Sequence, residues 1–171
     1  WQKSPIRLVG VAPRGQVMLP DDVAAEEVAD AADLCDLQEN HTHFVLPPTS
    51  QWGAETATMM AMLQQLRERV PTVAVLANGG LISKQEVVGA VRLRIPVIVI
   101  DGSGRLADRI ARAYSRKIKL DSWRPEVLED KMEREILQFG DLHMFRLTDD
   151  PPKLRKLIRR ILDGQRKMLR A

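Results

Sequence analysis

Val97-Ile98-Val99-Ile100 sets four β-branched residues in a row, and a strand that is apolar on both of its alternating sides must be covered on both faces. Pro96 precedes the run and the turn-forming string Asp101-Gly102-Ser103-Gly104 follows it, so the strand reads as 96–100. Helical spacing flanks it on either side: residues 84–93 with Ser83 as the expected N-cap, then 105–116. The same alternation extends in both directions. A helix is expected over 54–69, where Met59, Met62, Leu63 and Leu66 share a stripe, and a strand over 72–76. Further on come a helix over 125–138, with Pro125 in its first turn and Gly140 at its stop, and a strand over 142–147. The last element, 152–169, places Leu154, Leu157, Ile158, Ile161 and Leu162 along one stripe. Two more short apolar runs, 6–11 and 43–46, are bounded by prolines and read as strands. Between them, 22–36 is either a short acidic amphipathic helix or a loop. Strands separated by helices of this length are βαβ units with right-handed crossovers. The expected fold class is therefore α/β, a Rossmann-like three-layer arrangement with a mostly parallel sheet and helices on both faces.

A chain of 171 residues, 44% hydrophobic, is sized for one domain with a sizeable core. Only 4% is aromatic, so aliphatic side chains must fill that core. The net charge of +3 is unevenly spread. Residues 21–40 carry eight acids and no base, whereas 151–171 carry eight bases against Asp163, a net +7 that leaves −4 on the other 150. Basic character thus belongs to the last helix, whose apolar stripe and lack of aromatics suit a sheet-covering helix better than a nucleic-acid surface. Cys35 is the only cysteine, which excludes an internal disulfide and fits a cytoplasmic protein. No apolar run approaches the roughly 18 to 20 residues of a membrane span, so direct membrane insertion is not expected. The chain opens on Trp1 and enters a strand almost at once, which reads as a piece beginning inside a larger polypeptide.

In open parallel sheets, ligands gather beyond the carboxyl ends of the strands. Here those positions are Arg14-Gly15, Asn78-Gly79-Gly80 and Asp101-Gly102-Ser103-Gly104-Arg105. Glycines at such turns permit positive φ and the close approach of a ligand to backbone amides. After the 96–100 strand, the helix starting at Arg105 would offer amides to an anion, Ser103 a hydroxyl donor and Arg105 a guanidinium. On pattern alone a second reading stays open, in which Gly102 and Gly104 only make a tight connection and Asp101 caps the helix.

Other chemistry is thinner. His41 and His43 fall on one face of a strand, a spacing that suits a metal but lacks a third ligand nearby, so a loop-orienting role is favoured and no metal is expected. The chain has no P-loop, GxSxG elbow or HExxH. Glu86 is the one carboxylate near a glycine turn and the only weak candidate for a general base, against the alternative of a solvated helix residue.

Three segments taken together carry a resemblance: Asn40-His41-Thr42-His43-Phe44-Val45-Leu46, Val73-Ala74-Val75-Leu76-Ala77-Asn78-Gly79-Gly80, and the stretch from Pro96 through Asp101-Gly102-Ser103-Gly104-Arg105 to Asp108. In order and spacing the chain resembles the SLOG superfamily, in its LSDAT branch shared by prokaryotic proteins and the cytoplasmic N-terminal region of TRPM channels, from about Ile6 to Leu162. The resemblance implies a Rossmann-like sensor of nucleotide-derived ligands such as ADP-ribose, cyclic ADP-ribose or another NAD-derived nucleotide, with no covalent cofactor. It implies a fused or associated effector, with a homo-oligomer also compatible. Gly79, Gly80, Gly102, Ser103, Gly104 and Arg105 would line the pocket. The related Lonely Guy phosphoribohydrolases carry PGGxGTxxE, against which Asn78-Gly79-Gly80-Leu81-Ile82-Ser83-Lys84-Gln85-Glu86 keeps the two glycines and Glu86 alone. That departure weighs against enzymatic chemistry. Superfamily members also begin with a further strand-helix-strand unit bearing a glycine turn, which the residues before Ile6 are too few to supply, so the pocket is expected to be incomplete in this chain.

Overall fold

The computed structural model describes residues 6–19, 34–119 and 128–169, with the side chains of 118 and 119 excepted. The chain divides into two compact units, residues 1–59 and 60–171.

In the first unit β1 (Val9–Val11) pairs in parallel with β4 (His43–Val45), Val9 opposite His43 and Val11 opposite Val45. Gly10 is required there, because a Cβ would come within 2.8 Å of the Phe44 ring. A single 3-10 turn, Arg14–Gln16, leads into β2 (Val17–Met18), which pairs in parallel with β3 (Cys35–Asp36). The 22–36 segment was expected to hold a helix or a loop. Its last two residues instead form β3; the stretch up to 33 lies outside the described residues. The expected strands 6–11 and 43–46 shorten to three residues each.

Helix α1 (Thr56–Arg67) runs across the division between the units. In the second unit β5 (Ala74–Leu76), β6 (Val97–Asp101) and β7 (Leu142–Arg146) form a parallel sheet in that order. Between and after them come α2 (Leu81–Arg92), α3 (Arg105–Lys119), α4 (Lys131–Phe139) and α5 (Pro151–Leu169). The alternation of β6 divides the core. Val97 and Val99 join Val87, Val91, Leu106, Ile110, Ile136 and Leu137 from α2, α3 and α4. Ile98 and Ile100 meet Phe145 and Ile161, with Leu154, Leu157 and Ile158 of α5 packed alongside. Helices therefore cover both faces of a parallel sheet, as the run of β-branched residues requires.

Two helix starts differ from expectation. Ser83 lies within α2 and Gly80 is its N-cap, because Gly79 at φ +94° turns the chain into the helix three residues earlier. Helix α4 begins at Lys131 rather than near Pro125, since the Asp130 carboxylate accepts from the Met132 and Glu133 amides; residues 128–130 are not helical and Pro125 lies outside the described residues. Asp130 also holds the buried Lys84 ammonium, and Glu133 stands 3.9 Å from the same nitrogen while accepting from Arg109. That network binds α2 and α3 to α4.

Candidate functional site

The turns after β5 and β6 interlock. Asn78 and Gly79 are left-handed, with φ of 57° and 94°, and so are Gly102, Gly104 and Arg105, with φ of 92°, 103° and 42°. The Asn78 amide donates to Ser103 Oγ at 2.7 Å, and that hydroxyl donates onward to the Ile100 carbonyl at 2.6 Å. The Ala107 and Leu106 amides donate to the Asn78 and Gly79 carbonyls at 2.9 and 3.3 Å. A Cβ on Gly104 would lie 3.4 Å from Asn78 Oδ1. The structure thus brings Asn78, Gly79, Gly80, Asp101, Gly102, Ser103, Gly104 and Arg105 to one edge of the sheet, beyond its carboxyl ends.

A count of donors changes where an anion would sit. At the start of α3 the Gly102 and Gly104 amides both donate to Asp108 Oδ1, at 2.8 and 3.0 Å, and the Ser103 amide turns back to the Ile100 carbonyl. With Leu106 and Ala107 also engaged, this turn already holds a carboxylate of its own chain. The Ser103 hydroxyl, expected as a ligand donor, has its proton on Ile100. Asp101 does not cap α3: it ends β6 opposite Arg146, its carbonyl accepts from Leu147, and the capping carboxylate is that of Asp108. Asp108 does not stand out in the sequence, since an acid in a first helical turn is common for dipole reasons alone.

At α2 the situation is reversed. Gly80 caps the helix without any side-chain hydrogen bond, and the terminal Nη2 of Arg105 lies 2.9 Å from where a Cβ on Gly80 would stand. The missing side chain at Gly80 leaves the space that the guanidinium takes. The start of α2 therefore combines an uncapped helix N-terminus with a cation, a pairing that suits a phosphate. Glu86 sits half-buried about one and two-thirds turns further on, about 9 Å along the axis from Gly80.

Arg14 lies in the first unit, where its Nη1 donates to the Val17 carbonyl at 3.2 Å and where it lines a cavity of about 470 Å³ with Gly15, Thr49 and Ser50. The Thr49 hydroxyl in this cavity is buried without a hydrogen-bond partner. His41 Nδ1 lies 3.4 Å from the Gln38 carbonyl and His43 Nδ1 2.9 Å from Thr42 Oγ1, so both imidazoles serve the loop. Among the described residues no three metal-ligating side chains cluster.

A family model described as SLOG in TRPM, prokaryote, matches residues 2–155. The chain belongs to this family. Relatives of this SLOG-in-TRPM chain include transient receptor potential cation channel subfamily M member 2 of Mus musculus, 27% identical over 126 residues and covering 60% of the chain. Subfamily M member 1 of Rattus norvegicus is 29% identical over 128 residues, 62% of the chain, and a transient receptor potential channel of Caenorhabditis elegans is 26% identical over 157, 80% of the chain. The SLOG-in-TRPM chain spans 8% of the length of each of these channels. No helix of its described residues is long and apolar enough to cross a membrane.

Proposed function

We propose that this SLOG-in-TRPM domain is a non-enzymatic sensor of a nucleotide-derived molecule, of the ADP-ribose, cyclic ADP-ribose or NAD-derived class. The ligand lies across the carboxyl ends of β5 and β6, with one phosphate at the start of α2 under Arg105. Occupancy biases a fused or associated effector or a contact between copies, in the reducing cytoplasm that an exposed free Cys35 fits. The observation that carries this reading is the approach of the Arg105 guanidinium to uncapped Gly80, next to a turn whose amides already hold Asp108. Membership in the SLOG-in-TRPM family is consistent with the ligand class that the resemblance implies.

Titration calorimetry with ADP-ribose, cyclic ADP-ribose, NAD and AMP tests it. Binding of at least one, weakened in Arg105→Ala, is the expected result. No heat with any of the four sinks the proposal.

A further inference from the structure

Two adjoining cavities open at the other end of the β5–β6–β7 sheet, where the strands begin. They enclose about 190 and 300 Å³ and share Arg94, Gln165 and Met168. Arg67, the last residue of α1, lines the first, and Arg160 of α5 lines the second. Arg67, Arg94 and Arg160 form no ion pair among the described residues.

Arg94 occupies a position made for glycine. It follows the end of α2 at φ 53°, its amide donating to the Val91 carbonyl and that of Ile95 to the Ala90 carbonyl, each at 2.9 Å. This is the left-handed closing motif in which glycine is the favoured residue and an arginine is strained. Strain of this kind is concentrated at binding and switch sites. Beside it, His143 Nε2 is buried without a hydrogen-bond partner, standing 3.2 Å from Asp141 Oδ1, close enough for an ion pair but misaligned for a hydrogen bond.

Helix carboxyl termini oppose an anion, each with about half an elementary charge. The ends of α1, α2 and α5 together offset about one and a half of the three guanidinium charges and the Asp141 carboxylate one more, which leaves the two cavities together about half a charge positive. Apolar wall comes from Pro71, Ile95 and Leu169 in the first and from Met168 in both, with Thr72 and Gln165 the polar remainder of the first.

We infer that these cavities form a second ligand site, for a small phosphate monoester with an apolar body. Its phosphate sits between Arg94 and Arg160, and its body lies against Ile95 and Met168. The site is separate from the one beyond the strands' carboxyl ends and does not depend on it.

The test is an NMR titration of the full chain with phenyl phosphate, with inorganic phosphate and phenol as the two halves. Saturable shifts of the Thr72 and Ile95 amides and the His143 ring are expected, with affinity at least about tenfold above either half. Arg94→Gly should weaken binding about tenfold or more while the Tm holds or rises, since glycine relieves the backbone, and Arg160→Ala should weaken it comparably. Arg105→Ala should leave it unchanged. Absence of these shifts, shifts confined to residues 79–83, wild-type affinity in Arg94→Gly, or loss of binding in Arg105→Ala would each overturn the inference.

Discussion

The guanidinium of Arg105 covers the backbone of Gly80, its Nη2 2.9 Å from the site of an absent Cβ. Since Arg105 starts α3 and Gly80 caps α2, one side chain spans both glycine turns. Removing it as Arg105→Ala should cost at least about tenfold in ADP-ribose affinity, about 1.4 kcal/mol. Calorimetry measures the loss, and an unchanged affinity would place the phosphate elsewhere.

Asp108 holds the Gly102 and Gly104 amides, so Asp108→Ala should destabilise the domain by about 0.5 to 2 kcal/mol, the range of a lost helix cap. It should also free two donors and delete a negative charge, and affinity for inorganic phosphate should rise. Urea unfolding and a phosphate titration by NMR read the two effects; a fall in phosphate affinity would contradict the donor count.

Ile98 of β6 is fully buried on the face that α5 covers. Ile98→Ala should cost about 2 to 5 kcal/mol in urea unfolding, through lost transfer energy and the cavity left behind. Val75 lies opposite Ile98 on the edge strand but is 53% exposed, and Val75→Ala should change stability by less than about 1 kcal/mol. Comparable losses at both sites would mean that β5 is not an edge in solution.

The Lys84 hydrogen bond holds the Asp130 carboxyl below the usual carboxylate range, against the opposing effect of burial and with help from the Glu133 and Met132 amides. A carboxyl depressed in the folded state stabilises it above the unfolded pKa, about 4, and the contribution fades as pH falls through the folded value. Asp130→Asn should therefore flatten the loss of stability below about pH 4. Denaturation midpoints from pH 6 to pH 2 measure that slope; identical slopes would show that the pair does not couple to folding.

The sheet and its helices were legible because β6 sets four β-branched residues between Pro96 and a glycine turn, and because α5 keeps Leu and Ile on one stripe against a basic face. β2 and β3 were not, since two-residue strands such as Cys35–Asp36 contain no period to detect. Ser83 has the better capping side chain, yet the left-handed Gly79 decides where α2 begins. Both glycine turns could be found in the sequence, but the bond from the Asn78 amide to the Ser103 hydroxyl joins residues 25 apart, and no local pattern encodes it. The approach of Arg105 to Gly80 likewise joins the two turns across the chain, whereas Asp108 acts locally on Gly102 and Gly104.

The carboxylate inside the Gly102–Gly104 turn also bears on how a message could leave this domain. A loop held in one shape by its own chain is preorganised, and a ligand that finds it so spends little on ordering it. For the same reason that loop has little motion to transmit, because a state unaltered by occupancy has no differential affinity to report. In the sensor proposed above, a signal would start where a phosphate meets Arg105 at the head of α2, a helix that Lys84 ties to α4, rather than as the closing of a lid.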